Sequence, residues 1–99
     1  MKRKTSISHD EAMIQRLRRD PGFAAEYLKA AIEESDEPRV LLIALRHVAQ
    51  AHGIARIAKE AGVERESLYR ALSAGGNPRL STLHAVAKAV GLRLTVEAA

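Results

Sequence analysis

Gly62 constrains what this chain can fold into more than any other residue. Before it, IARIAKEA places apolar or small side chains at Ile54, Ile57, Ala58 and Ala61, the spacing of one helical face. After it, a second short helix carries its apolar residues at Leu68, Ala71 and Leu72. Two short helices meeting at one glycine imply a tight turn, and glycine can take the left-handed conformation such a turn needs. Ala58 is small enough for the second helix to cross close over the first, while Val63 and Leu68 fill the angle between them. The outward face of the second helix then carries Arg65, Glu66, Tyr69, Arg70 and Ser73. A polar, cationic face of this kind suits a DNA major groove.

The rest of the chain reads as helices with recognisable ends. Residues 1–7 have no helical pattern and read as a loose arm, in which Lys2, Arg3 and Lys4 are a solvated terminus with phosphate contact as the alternative. Ser8 with Glu11 forms a capping box for a first helix whose apolar face is Ala12, Met13, Ile14 and Leu17. Asp20-Pro21 reads as an N-cap with proline in the first turn. A second helix then runs from Pro21 to about Glu34 and buries Phe23 or Ala24, Tyr27, Leu28, Ala31 and Ile32. Asp36 is expected to cap a third helix over 37–51, apolar nearly all round from Val40 to Leu45, which makes it a hub that Gly53 ends. Gly75 and Gly76 close the helix after Gly62, and Ser81 is expected to cap a last helix that Gly91 stops. In residues 92–97 the period changes to two: Leu92, Leu94 and Val96 alternate with Arg93, Thr95 and Glu97. This is strand patterning, to be paired with the arm around Thr5–Ser8 or with its copy in a second chain. An antiparallel pair centred on Thr95 sets Arg93 of one chain opposite Glu97 of the other, so a homodimer is expected.

The segments AEYLKAAIEE, LLIALRHVAQAHG, AGVERESLYRALSAGGNPRLSTL and GLRLTVE together resemble the small addiction-module antidote proteins, the HigA-like antitoxins. The Ile54–Leu72 stretch within them is similar to the lambda-repressor and Cro-type (XRE) helix-turn-helix. The likeness covers about residues 20–97, and RESLYRALS followed by GNPRLSTL is its most specific part. It implies an all-α fold, a five-helix lambda-repressor-like helix-turn-helix domain with an N-terminal helical extension and a short C-terminal strand, divided into an arm and extension at 1–36 that binds a toxin, the DNA-binding helix-turn-helix domain at 37–91 and the strand at 92–99 for dimerisation. It also implies two macromolecular partners, a palindromic double-stranded DNA operator and a RelE/ParE-like toxin encoded next to this chain. Glu64 stands where the family has a serine or threonine cap, and Ile54 where it often has a polar phosphate contact, a role that passes to Arg56.

Composition narrows the function classes. Ninety-nine residues suit one domain, with room for five helices and little else. The aromatics are only Phe23, Tyr27 and Tyr69, so the core is aliphatic, and the absence of cysteine excludes thiol chemistry and fits a reducing cytoplasm. The net charge is +4 and the pI near 9.9. From Gly53 onward seven Lys or Arg stand against four acids, whereas residues 1–52 carry nine against eight, so the excess lies with the glycine-centred helix pair. The longest apolar run, Val40–Leu45, is far short of a membrane span, and no secretory signal is read at the start.

Candidate DNA contacts are Arg56, Arg65, Glu66, Tyr69, Arg70, Ser73, Asn77, Arg79, Ser81 and Thr82. The alternative for the first group is a charged helix face with Glu66 and Arg70 paired at i, i+4; for Asn77 and Ser81 it is a turn and a cap without ligand. His9, His47, His52 and His84 lack metal spacing and read as surface or cap residues, and there is no phosphate loop or paired nucleophile. No cofactor, metal or enzymatic activity is expected. Glu33, Glu34, Asp36 and Glu37 read as a solvated junction, or as a surface steering a basic toxin. A plain repressor without a toxin, and an interaction module that has lost DNA binding, are the other two readings of the whole.

Overall fold

The computed structural model describes residues 8–99; the expected basic arm, with Lys2, Arg3 and Lys4, lies outside them. Six helices follow one another: α1 His9–Arg19, α2 Phe23–Glu33, α3 Pro38–His52, α4 Ile54–Ala61, α5 Arg65–Ala71 and α6 Leu80–Ala89. The all-α expectation holds, but the five-helix count with a C-terminal strand does not. The six are the helices whose ends the sequence marks one by one, and they exceed the count of five because the connections are short enough to fit them all, Gly53 alone separating α3 from α4.

No strand is present among the described residues, and residues 92–99 carry no regular structure. The physical reason begins at the end of α6, where Gly91 has φ 81° and donates to the Lys88 carbonyl. Leu92 donates to the Ala87 carbonyl at 2.8 Å, so the first amide of the supposed strand is spent on the helix cap. Leu92 packs half-buried on the core, while Leu94 and Val96 are exposed. Alternation alone makes no ladder without a neighbouring strand.

Helix starts also differ from expectation. Ser8 does cap α1, its Oγ accepting from the Glu11 amide at 3.0 Å. Asp20, however, ends α1 rather than capping α2: its carbonyl accepts from Phe23 and the Pro21 carbonyl from Ala24, so regular helix begins two residues late. The N-cap of α3 is Glu37, not Asp36, because Pro38 takes the first helical position, where its missing amide costs nothing. Arg79, not Ser81, precedes α6.

The hub role of α3 is realised, since it packs against α1, α2 and α4. Val48 and Ala49 are fully buried and join Leu42 and Leu45 to Leu17 of α1, Ala24 of α2, Ile57 and Ala58 of α4, and Leu68 and Leu72 of and after α5, with Val86 and Val90 from the α6 end. Ile32, expected inside, is 56 % exposed. A ladder of planar groups ties the N-terminal helices together: the Arg16 guanidinium lies 3.8 Å over Phe23, Phe23 stacks on Tyr27, and Tyr27 stacks on His47. Arg18 adds a polar tie by donating to the Gln50 and Ala51 carbonyls in the last turn of α3, the first of which also accepts from the Gly53 amide.

Candidate nucleic-acid interface

The α4–α5 unit is built as its sequence suggests. Gly62 is left-handed at φ 73°, ψ 27°, a conformation that costs a residue with a Cβ about 1–2 kcal/mol. It donates to Lys59, and Val63 donates to the Ala58 carbonyl at 3.0 Å, which closes the end of α4. Glu64 begins α5 from an extended backbone without a side-chain cap, and the helix start is held instead by its carbonyl, which accepts from Leu68. Ile57, Ala58, Leu68 and Leu72 are buried between the helices, with Ile54, Ala61 and Val63 packed against them.

This burial turns Arg65, Glu66 and Arg70 outward, all exposed, with Tyr69 and Ser73 half-buried beside them. Arg70 does not pair with Glu66. Its Nη2 donates to Ser67 Oγ at 3.3 Å, and Ser73 Oγ donates to the Arg70 carbonyl at 2.8 Å. Tyr69 is held by Gln50 of α3, whose Nε2 donates to the phenol oxygen at 3.3 Å. Ser67 and Gln50 were not among the sequence candidates. Ser67 had a usable signal, three positions before Arg70 on one helix; Gln50 had none, because its partner is 19 residues away.

The fold joins part of the second candidate group to the first. Asn77, Pro78, Arg79 and Thr82 line one cleft of about 260 Å³ together with Val63, Ser67, Leu68 and Ala71. Ser81 is exposed outside that lining. Gly76 makes this approach possible: a Cβ there would overlap the Ala71 carbonyl oxygen and lie 2.6 Å from that of Arg70. Arg56 stands apart in one respect, since it is paired with Glu60 one turn on. Arg65, Arg70 and Arg79 carry no ion pair among the described residues.

Residues 10–98 match a family model described as a probable addiction module antidote protein. The chain belongs to that antidote family. A further relative, described as an uncharacterized protein of Haemophilus influenzae, is 41 % identical over 71 residues, covering 72 % of each chain. No solved structure matches. The family match takes in every helix but the first residue of α1, so the antidote relation covers α1 and α2 as well as the α4–α5 unit.

A second polar cluster of this antidote-family chain lies among α1, α2 and α3. His47, expected at the surface, is 2 % exposed. Its Nδ1 lies 2.7 Å from Tyr27 Oη, and its Nε2 lies 3.2 Å from Asp10 Oδ1, too far off line to count as a hydrogen bond. An Nε2–H tautomer accepting from the tyrosine is the arrangement that keeps a lone pair from facing the carboxylate. Burial lowers the His47 pKa, Arg46 and His9 act in the same direction, and Asp10 opposes them; burial and then Asp10 raise that of Tyr27. Both groups are therefore neutral at pH 7, which suits a phenol donating to an imidazole. His52 caps its own helix, with Nδ1 3.0 Å from the Val48 carbonyl. No group of three metal-ligating side chains occurs among the described residues, and no helix there is long and apolar enough to cross a membrane.

Proposed function

We propose that this chain is the antitoxin of a type II toxin-antitoxin module, one that neutralises a cognate RelE/ParE-like toxin and represses its own operon by binding a palindromic operator. The observation that carries the DNA half is the α4–Gly62–α5 unit, which buries one face and offers Arg65, Glu66 and Arg70 on the other. An arginine can bond bidentately to guanine and Glu66 can accept from a cytosine amine, each good base pairing being worth about 1–3 kcal/mol of discrimination. Arg79, Asn77 and Thr82 flank the start of α6, where free amides and the helix dipole favour phosphate. Arg56 can join them only by giving up Glu60. The toxin half is supported by the family match through α1 and α2. A homodimer supplies two reading helices, with half-sites one helical turn, roughly 34–36 Å, apart. The action is steric and electrostatic, without catalysis or cofactor.

Growth of a bacterial host expressing the adjacent reading frame, with and without this chain, tests the toxin half. Growth arrest relieved by the chain is the expected result, and a harmless neighbour would overturn it. Fluorescence anisotropy on the DNA upstream of the operon tests the other half, with binding expected to be at least tenfold tighter than to scrambled DNA. Equal affinities would remove sequence-specific repression.

A further inference from the structure

Next to the His47 cluster, α1, α2 and α3 leave an open cavity of about 320 Å³. Its apolar wall is Ala30, Ala31, Val40, Ile43 and Ala44, and its polar side is His9, Asp10, Tyr27, Glu34 and His47. Two features of this cavity point to an occupant. Its volume falls at the lower end of sites that take up a ligand group, about 300–1,000 Å³. Glu34 at the edge is exposed, and neither it nor its exposed neighbours Glu33 and Asp36 has an ion pair among the described residues. A chain that is basic overall is therefore acidic at this rim.

We infer that the cavity receives a cationic segment of a partner protein, seating one apolar side chain between Ala31, Val40 and Ile43 and an adjacent lysine or arginine against Glu34. Charge complementarity selects this occupant. An acidic segment would meet Glu34 unpaired, and a wholly apolar one would strip water from the rim carboxylates without compensation. Asp10 is already engaged on both oxygens, by His47 Nε2 at 3.2 Å and Arg46 Nη2 at 3.9 Å, so Glu34 is the carboxylate left for the incoming cation. The inference rests on the antitoxin reading, with the toxin as the partner, and locates where the toxin is gripped.

Calorimetric titration of the full chain with the purified product of the adjacent reading frame tests it. Two variants are compared with the wild type: Ala31→Trp, which fills the cavity, and Glu34→Lys, which reverses an exposed charge without touching the core. Each should weaken binding at least about tenfold, with operator affinity and melting temperature retained. The Glu34→Lys loss should also shrink between about 0.1 M and about 1 M salt, as the screening length falls from about 10 to about 3 Å. If Ala31→Trp is misfolded, Glu34→Lys carries the test. Wild-type binding unaffected by either variant overturns the cavity while leaving the antitoxin reading in place. No wild-type binding overturns both. Ala31→Trp converting a dimer of the free chain to monomers assigns the cavity to a second copy and also overturns the inference.

Discussion

Arg70 carries the clearest consequence of a single side chain. Its guanidinium is exposed and, among the described residues, tethered only to Ser67, a contact across about one helical turn that aims it without neutralising it. Arg70→Ala should reduce discrimination between operator and scrambled DNA by about 5- to 150-fold, the equivalent of one bidentate base contact. Anisotropy titrations on the two DNAs measure this, and unchanged discrimination would remove Arg70 from the reading set. His47 gives a pH prediction. Its folded pKa lies below the ordinary 6.5, so on acidification the unfolded chain takes up a proton that the folded chain refuses. The contribution of the neutral imidazole is complete above about pH 6.5 and is lost progressively as the pH falls from there through the folded value. The melting temperature of the wild type should therefore fall more steeply between pH 7 and pH 5.5 (conditions of roughly the histidine range) than that of His47→Gln, which keeps an acceptor for Tyr27 but cannot titrate. Parallel curves would show that His47 is not the group responsible.

Among the elements, the contact between the end of α5 and the turn before α6 has the least room. Gly76→Ala forces its new Cβ into the Ala71 carbonyl, a backbone neighbour that cannot swing aside as a flexible side chain would. The substitution should cost about 1–3 kcal/mol in urea unfolding, typical of overpacking. It should also weaken operator binding, because Ser67 and Arg79 line the cleft that the turn closes. A variant as stable as the wild type would mean that the turn has an alternative path. A linkage runs the other way from the same unit. Arg18 of α1 holds the end of α3, and Gln50 there holds Tyr69 of α5, so one chain of hydrogen bonds connects the N-terminal helices to the proposed reading helix. The caps at Gly53, Gly62 and Gly91 were legible beforehand because their physics is local. The starts of α2, α3 and α6 moved by one or two residues, because there a turn of backbone bonds or a proline at the first position competes with the side-chain cap.

At the scale of the whole molecule, the exposed apolar tail bears on assembly. The tail after α6 holds Leu94 and Val96 exposed, the latter 95 %, and the proposed dimer would bury these and their neighbours Arg93, Thr95 and Glu97 without requiring a strand. Sedimentation at micromolar concentration should give a dimeric mass that falls to monomeric when residues 93–99 are removed; a mass unchanged by the deletion would place the dimer contact elsewhere. Arg79→Ala should lower the salt slope of operator binding by about one for each copy bound, as expected for a phosphate contact. By itself the sequence determined the helical class, the hub role of α3, the left-handed Gly62 and the outward cationic face of α5. Each of these follows from spacing within one or two helical turns, where geometry is set by neighbours along the chain. Only the tertiary structure decided that Leu92 belongs to a helix cap rather than a strand, that His47 is buried between Tyr27 and Asp10, and that Gly76 must stay small. These outcomes depend on partners distant in sequence or on backbone bonds of a particular cap, and side-chain periodicity carries no information about either.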